Sequence, residues 1–296
     1  MNWKHKKQIE ADIKRINSAL ESVNSYGRDA ALGLIAAQKH SLLAGGKRIR
    51  PLLVLAFSRL FGGSDEAAMP FALAVEMIHT ASLIHDDMPS LDNDTLRRGL
   101  PTCHVKFGEA TALLAADGLF MDAFGVVAKN PYTSPEKTLM AVRVLSEATG
   151  TGGLVGGEYI DVMGEGRALP LELMKLMHSC KTGALIKASA RLGAIAAGIS
   201  ADDERMKSAD LYAENIGLAF QIVDDVLDVT GTTESLGKNP GKDKTAEKST
   251  YLNYYTPKAA TELARSLTDA AVAEISKYEG SDFLIDLAKD LSERQN

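Results

Sequence analysis

Apolar residues recur every three or four positions along nearly the whole chain, which is the period of amphipathic helices. Near the N-terminal end, for example, Ile9, Ile13 and Ile16 fall on one helical face. Alternating apolar and polar positions, the pattern of half-buried strands, are essentially absent. A helix is expected to open at Pro51, since proline suits a first helical turn. The other predicted helices span 4–24, 28–43, 66–88, 107–128, 135–149, 154–163, 170–198, 202–230, 256–277 and 282–293.

The organisation of these helices predicts one large all-α domain that spans residues 1–296. No shift in composition marks a domain boundary, and no repeat of fixed period is present. Loops are expected at 129–134, 164–169 and 231–250. The chain is long for a single core, but a bundle of helices can extend around a central cavity.

The composition is that of an ordinary globular protein, with 45% hydrophobic and 24% charged residues among 296. A net charge of −6 argues against a general nucleic-acid binder. The two cysteines fit no metal or disulfide pattern, which favours a reducing compartment. The N-terminal residues lack an apolar signal core, and the most apolar run, 110–128, contains Asp117 and Asp122. We therefore expect a cytoplasmic protein without membrane insertion.

Two clusters of aspartates carry the strongest chemical signal. Asp86, Asp87, Asp92 and Asp94 follow the apolar run 77–84. Carboxylates at the end of a buried segment are costly unless they are paired or bind a cation. A single acidic run is usually a solvated face or turn, because charged residues are mostly exposed.

The second cluster makes that solvated alternative weaker. Asp224, Asp225 and Asp228 close another apolar run, 216–223. Asp224 and Asp228 share a helix face, where like charges repel. All-oxygen carboxylate sites that also take substrate phosphates suit Mg²⁺ best. The two clusters therefore predict one shared Mg²⁺ site between facing helices.

Basic residues that suit a phosphate or diphosphate ligand accompany the aspartates. Turn amides and arginine side chains bind phosphate oxygens, although a solvated basic loop is the alternative reading. His79, on the helix that carries the first aspartates, is equally compatible with a core residue and a ligand. The basic candidates are Lys47, Arg48 and Arg50 after Gly45-Gly46, Arg97-Arg98, Lys181 beside Thr182, and Lys238, Lys242, Lys244 and Lys248 in the predicted loop 231–250.

Carboxylates, Mg²⁺ and cations together suggest a reaction in which diphosphate leaves. Mg²⁺ neutralises the leaving group so that an allylic carbocation forms, and an apolar pocket keeps water from it. The apolar segments 77–84 and 110–128 are candidates for the pocket walls. Other templates fail, since 150–157 is not a dinucleotide-binding glycine motif and 237–242 is too short for a phosphate-binding loop.

Five motifs, found in order, resemble those of the all-trans short-chain isoprenyl diphosphate synthases, of the bacterial farnesyl diphosphate synthase type. The resemblance runs from about residue 30 to residue 250. It implies an isoprenoid synthase helical bundle around a central cavity, a polyprenyl synthase domain over 1–296, Mg²⁺ as cofactor and a homodimer. The motifs are 46–51, 82–92, 96–99, 181–183 and 220–228.

The resemblance also implies the substrates and a role for each motif residue. Isopentenyl diphosphate condenses with an allylic diphosphate, dimethylallyl or geranyl, to give farnesyl or geranylgeranyl diphosphate. The proton lost by the new cation goes to the released diphosphate. The expected metal ligands are Asp86, Asp87, Asp92, Asp224, Asp225 and Asp228, and the expected catalytic residues are Asp86, Asp87, Asp92, Asp224 and Lys181. The expected allylic ligands are Arg97, Lys181, Thr182, Gln221 and Lys238, and the expected isopentenyl diphosphate ligands are Lys47, Arg50, His79 and Arg98.

Two features depart from the pattern of bacterial farnesyl synthases or bear on its detail. Four residues, including Pro89, separate Asp87 from Asp92, so a local break must re-aim Asp92. Ala81 stands where bacterial farnesyl synthases often have tyrosine, about one helical turn deeper than Asp86. So small a residue removes the floor that would stop a fifteen-carbon chain; the alternative is that a neighbour from helix 110–128, such as Phe120, fills the gap from across the cavity. Ala81 is therefore the candidate chain-length residue.

Two other function classes share part of this pattern. A class I terpene cyclase has the same fold and first motif, but it lacks the basic segment 47–50, and its second metal motif usually carries Asn, Ser and Glu. A non-catalytic subunit of a heteromeric synthase is expected to lose aspartates, and all six are present here. The sequence therefore favours the chain-elongating prenyltransferase.

Overall fold

The computed structural model describes residues 5–23, 31–230 and 249–292, and it confirms the all-α fold. Its helices are α1 (Lys6–Ser22), α2 (Leu32–Leu42), α3 (Ile49–Leu60), α4 (Asp65–Asp86), α5 (Cys103–Phe107), α6 (Glu109–Ala128), α7 (Pro135–Thr149), α8 (Leu154–Gly164), α9 (Leu171–His178), α10 (Ala184–Ala196), α11 (Glu204–Thr230), α12 (Pro257–Ile275) and α13 (Asp282–Ser292).

Three short elements interrupt the helical pattern in the described part of the chain. Strands β1 (Leu96–Arg97) and β2 (Leu100–Pro101) form an antiparallel hairpin. The sequence did not predict this hairpin, because no alternating pattern marks its strands. A π-helical turn (Ser179–Gly183) separates α9 from α10, and a 3₁₀ turn spans Tyr251–Asn253.

Local sequence explains where several helices begin. The Ser64 side chain accepts a hydrogen bond from the backbone N–H of Ala67 and so caps α4, whose first turn is acidic. Ser134 caps α7 in the same way, and Pro135 follows it at the first helical position. Gly108, with φ of 84°, ends α5 and divides the predicted helix 107–128.

Two predicted boundaries therefore need correction. The predicted single helix 170–198 is two helices joined by the π-helical turn. The sequence did not indicate this division, because the apolar period continues unbroken across the extra residue. Helix α3 begins at Ile49, two residues before Pro51, so this proline lies inside the first turn. The other helices begin and end within about three residues of their predicted bounds, wherever those bounds lie among the described residues.

Helix α4 lies in the centre of the larger hydrophobic core. It packs against α3, α6 and α10, and α10 in turn contacts α3, α7 and α11. A smaller core joins α9, α11, α12 and the 3₁₀ turn. Small side chains on α6, among them Ala112, Ala115 and Ala116, are completely buried at this core and permit close helix approach.

Two helices in the described chain are long and apolar enough to cross a membrane, although 110–128 was expected to be excluded by its charges. The share of the apolar stretch that is buried within the fold is 72% in Asp65–Asp86 but only 33% in Glu109–Ala128. Core helices of globular proteins pass the same test, so the result carries little weight for α4.

Candidate active site

The first aspartate motif lies where α4 ends. Asp86 is the last residue of the helix, and a tight turn follows it. Within that turn the backbone N–H of Asp92 donates to the carbonyl of Asp86 at 2.9 Å, and Asn93 adopts a left-handed φ of 49°. The four intervening residues thus bring the Asp92 backbone directly back to Asp86.

Among the described cations, Lys181 has the largest effect on the pKa of Asp86. Its Nζ lies 2.7 Å from Glu158 Oε2 and 2.7 Å from Asp161 Oδ2, both on α8. Burial opposes the charge of Lys181, but Asp161, Asp86 and Glu158 outweigh it and raise the pKa of the ammonium. Burial raises the pKa of Asp86 to about 7, against the effect of Lys181 and with that of Glu158. One lysine is therefore shared among three carboxylates.

Asp87 faces a different partner from Asp86. The side chain of Arg97 donates to both carboxylate oxygens of Asp87, at 2.8 Å from Nε and 2.6 Å from Nη2. This bidentate pair fastens the β1–β2 hairpin to the end of α4. Asp87 was expected to bind metal and Arg97 to bind the allylic substrate, but in this structure each is engaged by the other.

The second aspartate motif lies near the C-terminal end of α11. The backbone N–H of Tyr251 donates to one oxygen of buried Asp225 at 2.8 Å, and Gln221 Nε2 donates to the other at 2.9 Å. Asp228 is also buried, and neither of its carboxylate oxygens has a hydrogen-bond partner among the described residues. An unpaired buried carboxylate is costly, which suits a cation ligand.

The π-helical turn connects the two motifs. Its Lys181 interacts with Asp86, while the hydroxyl of its neighbour Thr182 donates to Gln221 Oε1 at 3.2 Å. Gln221 continues this chain of contacts to Asp225. The predicted allylic residues Lys181, Thr182 and Gln221 are thus brought together between the two aspartate clusters. Lys238 lies outside the described residues.

The predicted isopentenyl diphosphate residues gather around the start of α3. Arg50 Nη1 lies 3.4 Å from His79 Nε2 on α4, and the buried Nε of Arg50 has no partner among the described residues. Arg98 donates to the carbonyl of Gly45 and packs on Gly46, where a Cβ atom would lie 2.6 Å from the guanidinium carbon. Gly46, with φ of +120°, is therefore required, and the exposed Lys47 follows it.

Electrostatics keeps His79 neutral in this basic cluster. Burial lowers the pKa of His79 well below its ordinary value, and Arg50 and Arg98 lower it further. A neutral imidazole accepts a hydrogen bond on one nitrogen and donates on the other. His79 can therefore accept from Arg50 and still donate to an anion.

Arg48 points into the protein, whereas Lys47 beside it is exposed. The residue has a left-handed φ of 51°, and its buried side chain donates to Glu76 at 2.5 Å, to Asn17 and to the carbonyl of Leu42. Glu76 is buried on α4 and also attracts Arg50 and Arg98 electrostatically. This ion pair fixes the basic loop, residues 47–50, to α4.

The candidate chain-length residue Ala81 lies on α4 and has no accessible surface. His85 stands one helical turn above it on the same face, with its ring centroid 5.8 Å from that of Phe120 on α6. Phe120 therefore lies beside His85, which is one helical turn from Ala81.

Three carboxylates of this region were missed from the sequence. Glu158 and Asp161 stand three residues apart after Gly156-Gly157, on one face of α8, and Glu76 interrupts the apolar run of α4. An acidic residue inside an apolar helix was the available signal, since such residues are almost never buried unpaired.

The donor set fits a hard divalent cation. The two motifs supply carboxylate oxygens from Asp86, Asp92, Asp224 and Asp228. Mg²⁺ prefers such oxygen ligands, and it keeps positions for phosphate oxygens.

Comparisons with known proteins identify the family of this chain. A family model described as polyprenyl synthetase matches residues 33–281. The farnesyl diphosphate synthase of Escherichia coli is 44% identical over 89% of this chain and 89% of its own length. The chloroplastic geranylgeranyl pyrophosphate synthase of Catharanthus roseus is 44% identical over 93% of this chain and 79% of its own length.

A solved structure gives the same result for the fold. The crystal structure described as an FPP/GFPP synthase from Zymomonas mobilis superposes with a TM-score of 0.86 at 34% identity. The match covers 97% of this chain and 98% of that one.

Proposed function

This chain belongs to the polyprenyl synthetase family and is a short-chain trans-prenyltransferase of the farnesyl and geranylgeranyl diphosphate synthase type, and we propose that its reaction takes place between the two aspartate motifs. The enzyme condenses isopentenyl diphosphate with an allylic diphosphate. The observation that carries the proposed location is the π-helical turn between the motifs, where Lys181 attracts Asp86 electrostatically and the neighbouring Thr182 is hydrogen-bonded through Gln221 to Asp225.

We assign Mg²⁺ to Asp86, Asp92, Asp224 and Asp228. Bound there, Mg²⁺ neutralises the diphosphate leaving group. Asp87 and Asp225, which were also expected to be ligands, are held by Arg97 and by Gln221 with the Tyr251 amide. We propose that these two carboxylates orient the motifs instead of reaching the ion directly.

The chain's own residues then bind and orient the two substrates. Lys181 and Thr182 hold the allylic diphosphate, with Lys238 as a further proposed ligand. Arg50, His79, Arg98 and Lys47 hold isopentenyl diphosphate, because their charge surplus and the spare donors of Arg50 and His79 suit an anion. The double bond of isopentenyl diphosphate attacks the allylic carbon as its C–O bond breaks, and the released diphosphate takes the proton.

The other two function classes fit the chain less well. A terpene cyclase does not need the second anion site that Arg50, His79 and Arg98 form. A non-catalytic subunit does not need six intact aspartates. The basic loop and the two complete motifs therefore favour the elongating enzyme.

We further propose a cytoplasmic homodimer that neither inserts into membranes nor binds nucleic acid. The net charge of −6 supports the last point. The homodimer is supported by an apolar stripe of exposed residues on α6, Leu113, Leu114 and Met121, which occupy one side of the helix. A second copy of this chain would cover that face.

Turnover of labelled isopentenyl diphosphate with dimethylallyl diphosphate tests the proposal. Asp86→Asn and Asp224→Asn are each expected to lower kcat by about 100-fold or more, with the circular-dichroism signal unchanged, because the leaving group is no longer neutralised. Asp202→Asn, in an exposed turn, is the matched control and should retain wild-type turnover. Near-normal turnover of either motif variant, or activity after chelation of the metal, would contradict the shared site.

A further inference from the structure

The π-helical turn at Ser179–Gly183 carries two residues of the proposed allylic site. An extra residue in a helical turn is rare, and such turns are frequent at functional sites. Here it directs Lys181 towards α8 and Thr182 towards α11 within one short segment. What holds this turn in place therefore matters for the proposed reaction.

Gly157 on α8 lies directly against the turn. A Cβ atom at residue 157 would lie 2.2 Å from the backbone nitrogen of Lys181 and 2.7 Å from its Cα. Both neighbours are backbone atoms, so no flexible side chain could move aside. The two backbones can approach this closely only because residue 157 is glycine.

The other glycines of segment 150–157 do not make this contact. At Gly153 and Gly156 an added Cβ would meet the carbonyls of Ala148 and Thr151, which belong to the same local stretch of chain. At Gly152 it would meet nothing within 4 Å. In segment 150–157, Gly157 is the glycine that lies against the π-helical turn.

The close approach also sets the reach of two carboxylates. Glu158 follows Gly157 immediately and Asp161 follows one helical turn later, and both contact Lys181 Nζ at 2.7 Å. Asp86 attracts the same ammonium electrostatically. The backbone of Lys181 is therefore fixed by Gly157, and its charged end is fixed by carboxylates.

We infer that Gly157, Glu158 and Asp161 are positioning residues that set the place of Lys181 and Thr182 and thereby the affinity for the allylic diphosphate. The inference rests on the proposed function, in which the π-helical turn binds that substrate. The atoms nearest to an added Cβ at residue 157 all belong to Cys180 and Lys181, and none belongs to the proposed isopentenyl diphosphate residues. The two substrates should therefore respond differently to a change at residue 157.

Steady-state kinetics of the full-length enzyme tests the inference. Gly157→Ala is expected to raise KM for geranyl diphosphate by about tenfold or more, while KM for isopentenyl diphosphate stays within about twofold. Gly152→Ala is the matched control in the same segment, and both KM values should stay near wild type. Arg50→Ala should show the reverse split, since it removes a donor from the isopentenyl diphosphate site.

A pair of isosteric variants guards against misfolding of Gly157→Ala. Glu158→Gln and Asp161→Asn add no bulk, and the double variant should show the same selective rise in KM for geranyl diphosphate. An equal rise for both substrates, or no rise, in soluble Gly157→Ala or in the double variant would overturn the positioning role. Failure of the wild-type enzyme to join the two substrates would instead overturn the proposed function.

Discussion

At the scale of single residues, burial determines which groups can change charge. His178 is buried beside Tyr251, with ring centroids 5.3 Å apart. Burial lowers the pKa of His178 to about 4, and Lys181 acts in the same direction while Asp161 opposes it. In the unfolded state the imidazole has a pKa of about 6.5. Below that pH the unfolded state binds a proton that the folded state excludes, so stability falls as the pH falls towards 4.

The direction of this pH dependence leads to a stability prediction. From pH 7.5 to pH 5.5 the wild-type free energy of unfolding should fall by about 1 kcal/mol more than that of His178→Phe, which keeps an aromatic ring at this position. Urea titrations at the two pH values measure the difference. His79 has the same direction of shift but is present in both proteins, so its contribution cancels. Equal pH dependence in the two proteins would mean that His178 is not held neutral by burial.

At the scale of elements, α4 is held to the basic loop by the buried pair of Arg48 and Glu76. Glu76→Gln should cost about 3–5 kcal/mol of unfolding free energy, because it leaves the Arg48 guanidinium buried without a counter-charge. Chemical denaturation provides the measurement. Glu66→Gln, on the exposed first turn of the same helix, is the control and should cost less than about 1 kcal/mol. Similar costs for the two variants would show that the pair contributes little.

Helix α4 also carries the proposed determinant of product length. With alanine at 81, the wild-type enzyme given excess isopentenyl diphosphate is expected to make geranylgeranyl diphosphate as a substantial product. Ala81→Tyr should shift the products towards shorter chains, as read by chromatography, without harming the first condensation. Ala201→Tyr, in an exposed turn, is the control. A wild-type enzyme that stops cleanly at fifteen carbons would indicate that Phe120 closes the floor instead.

The periodic elements were predictable from sequence to different degrees. Helix α7 has its predicted bounds, 135–149, because a serine cap and a proline mark its start. The π-helical turn was missed because the apolar period runs through it. The β1–β2 hairpin was missed because strands of two residues are too short to alternate.

For the site, the types of functional residue were predictable from the sequence, but their partners were not. The aspartates and cations could be identified from motifs, but their pairing could not, because it depends on how the hairpin and α8 fold back onto α4. Asp87 and Arg97 were assigned separate ligands, although the hairpin brings them within 2.6 Å of each other. Glu158 and Asp161 carried a sequence signal as acidic residues of an apolar helix, but their pairing with Lys181 depends on how α8 packs against the π-helical turn.

At the scale of the whole molecule, the face of α6 that carries Leu113, Leu114 and Met121 is apolar and exposed. Its exposed apolar residues predict a dimer interface, so Met121→Arg should convert a dimer into a monomer in light-scattering measurements. Leu211→Arg, at an exposed apolar residue of α11, is the control and should remain dimeric. A wild-type monomer, or a Met121→Arg dimer of normal strength, would contradict this interface.

The rigidity of α4 has a consequence for how such an enzyme can diversify. One helix carries His79 of the proposed isopentenyl diphosphate site, Ala81 as the proposed chain-length residue and Asp86 of the proposed metal site. Their separations are fixed by a rise of about 1.5 Å per residue, so His79 and Asp86 stay about 10 Å apart along the axis. A substitution at residue 81 can alter the depth available to the product while both diphosphate sites keep their spacing. Product length can therefore vary between descendants of one ancestral sequence without any change in the chemistry of condensation.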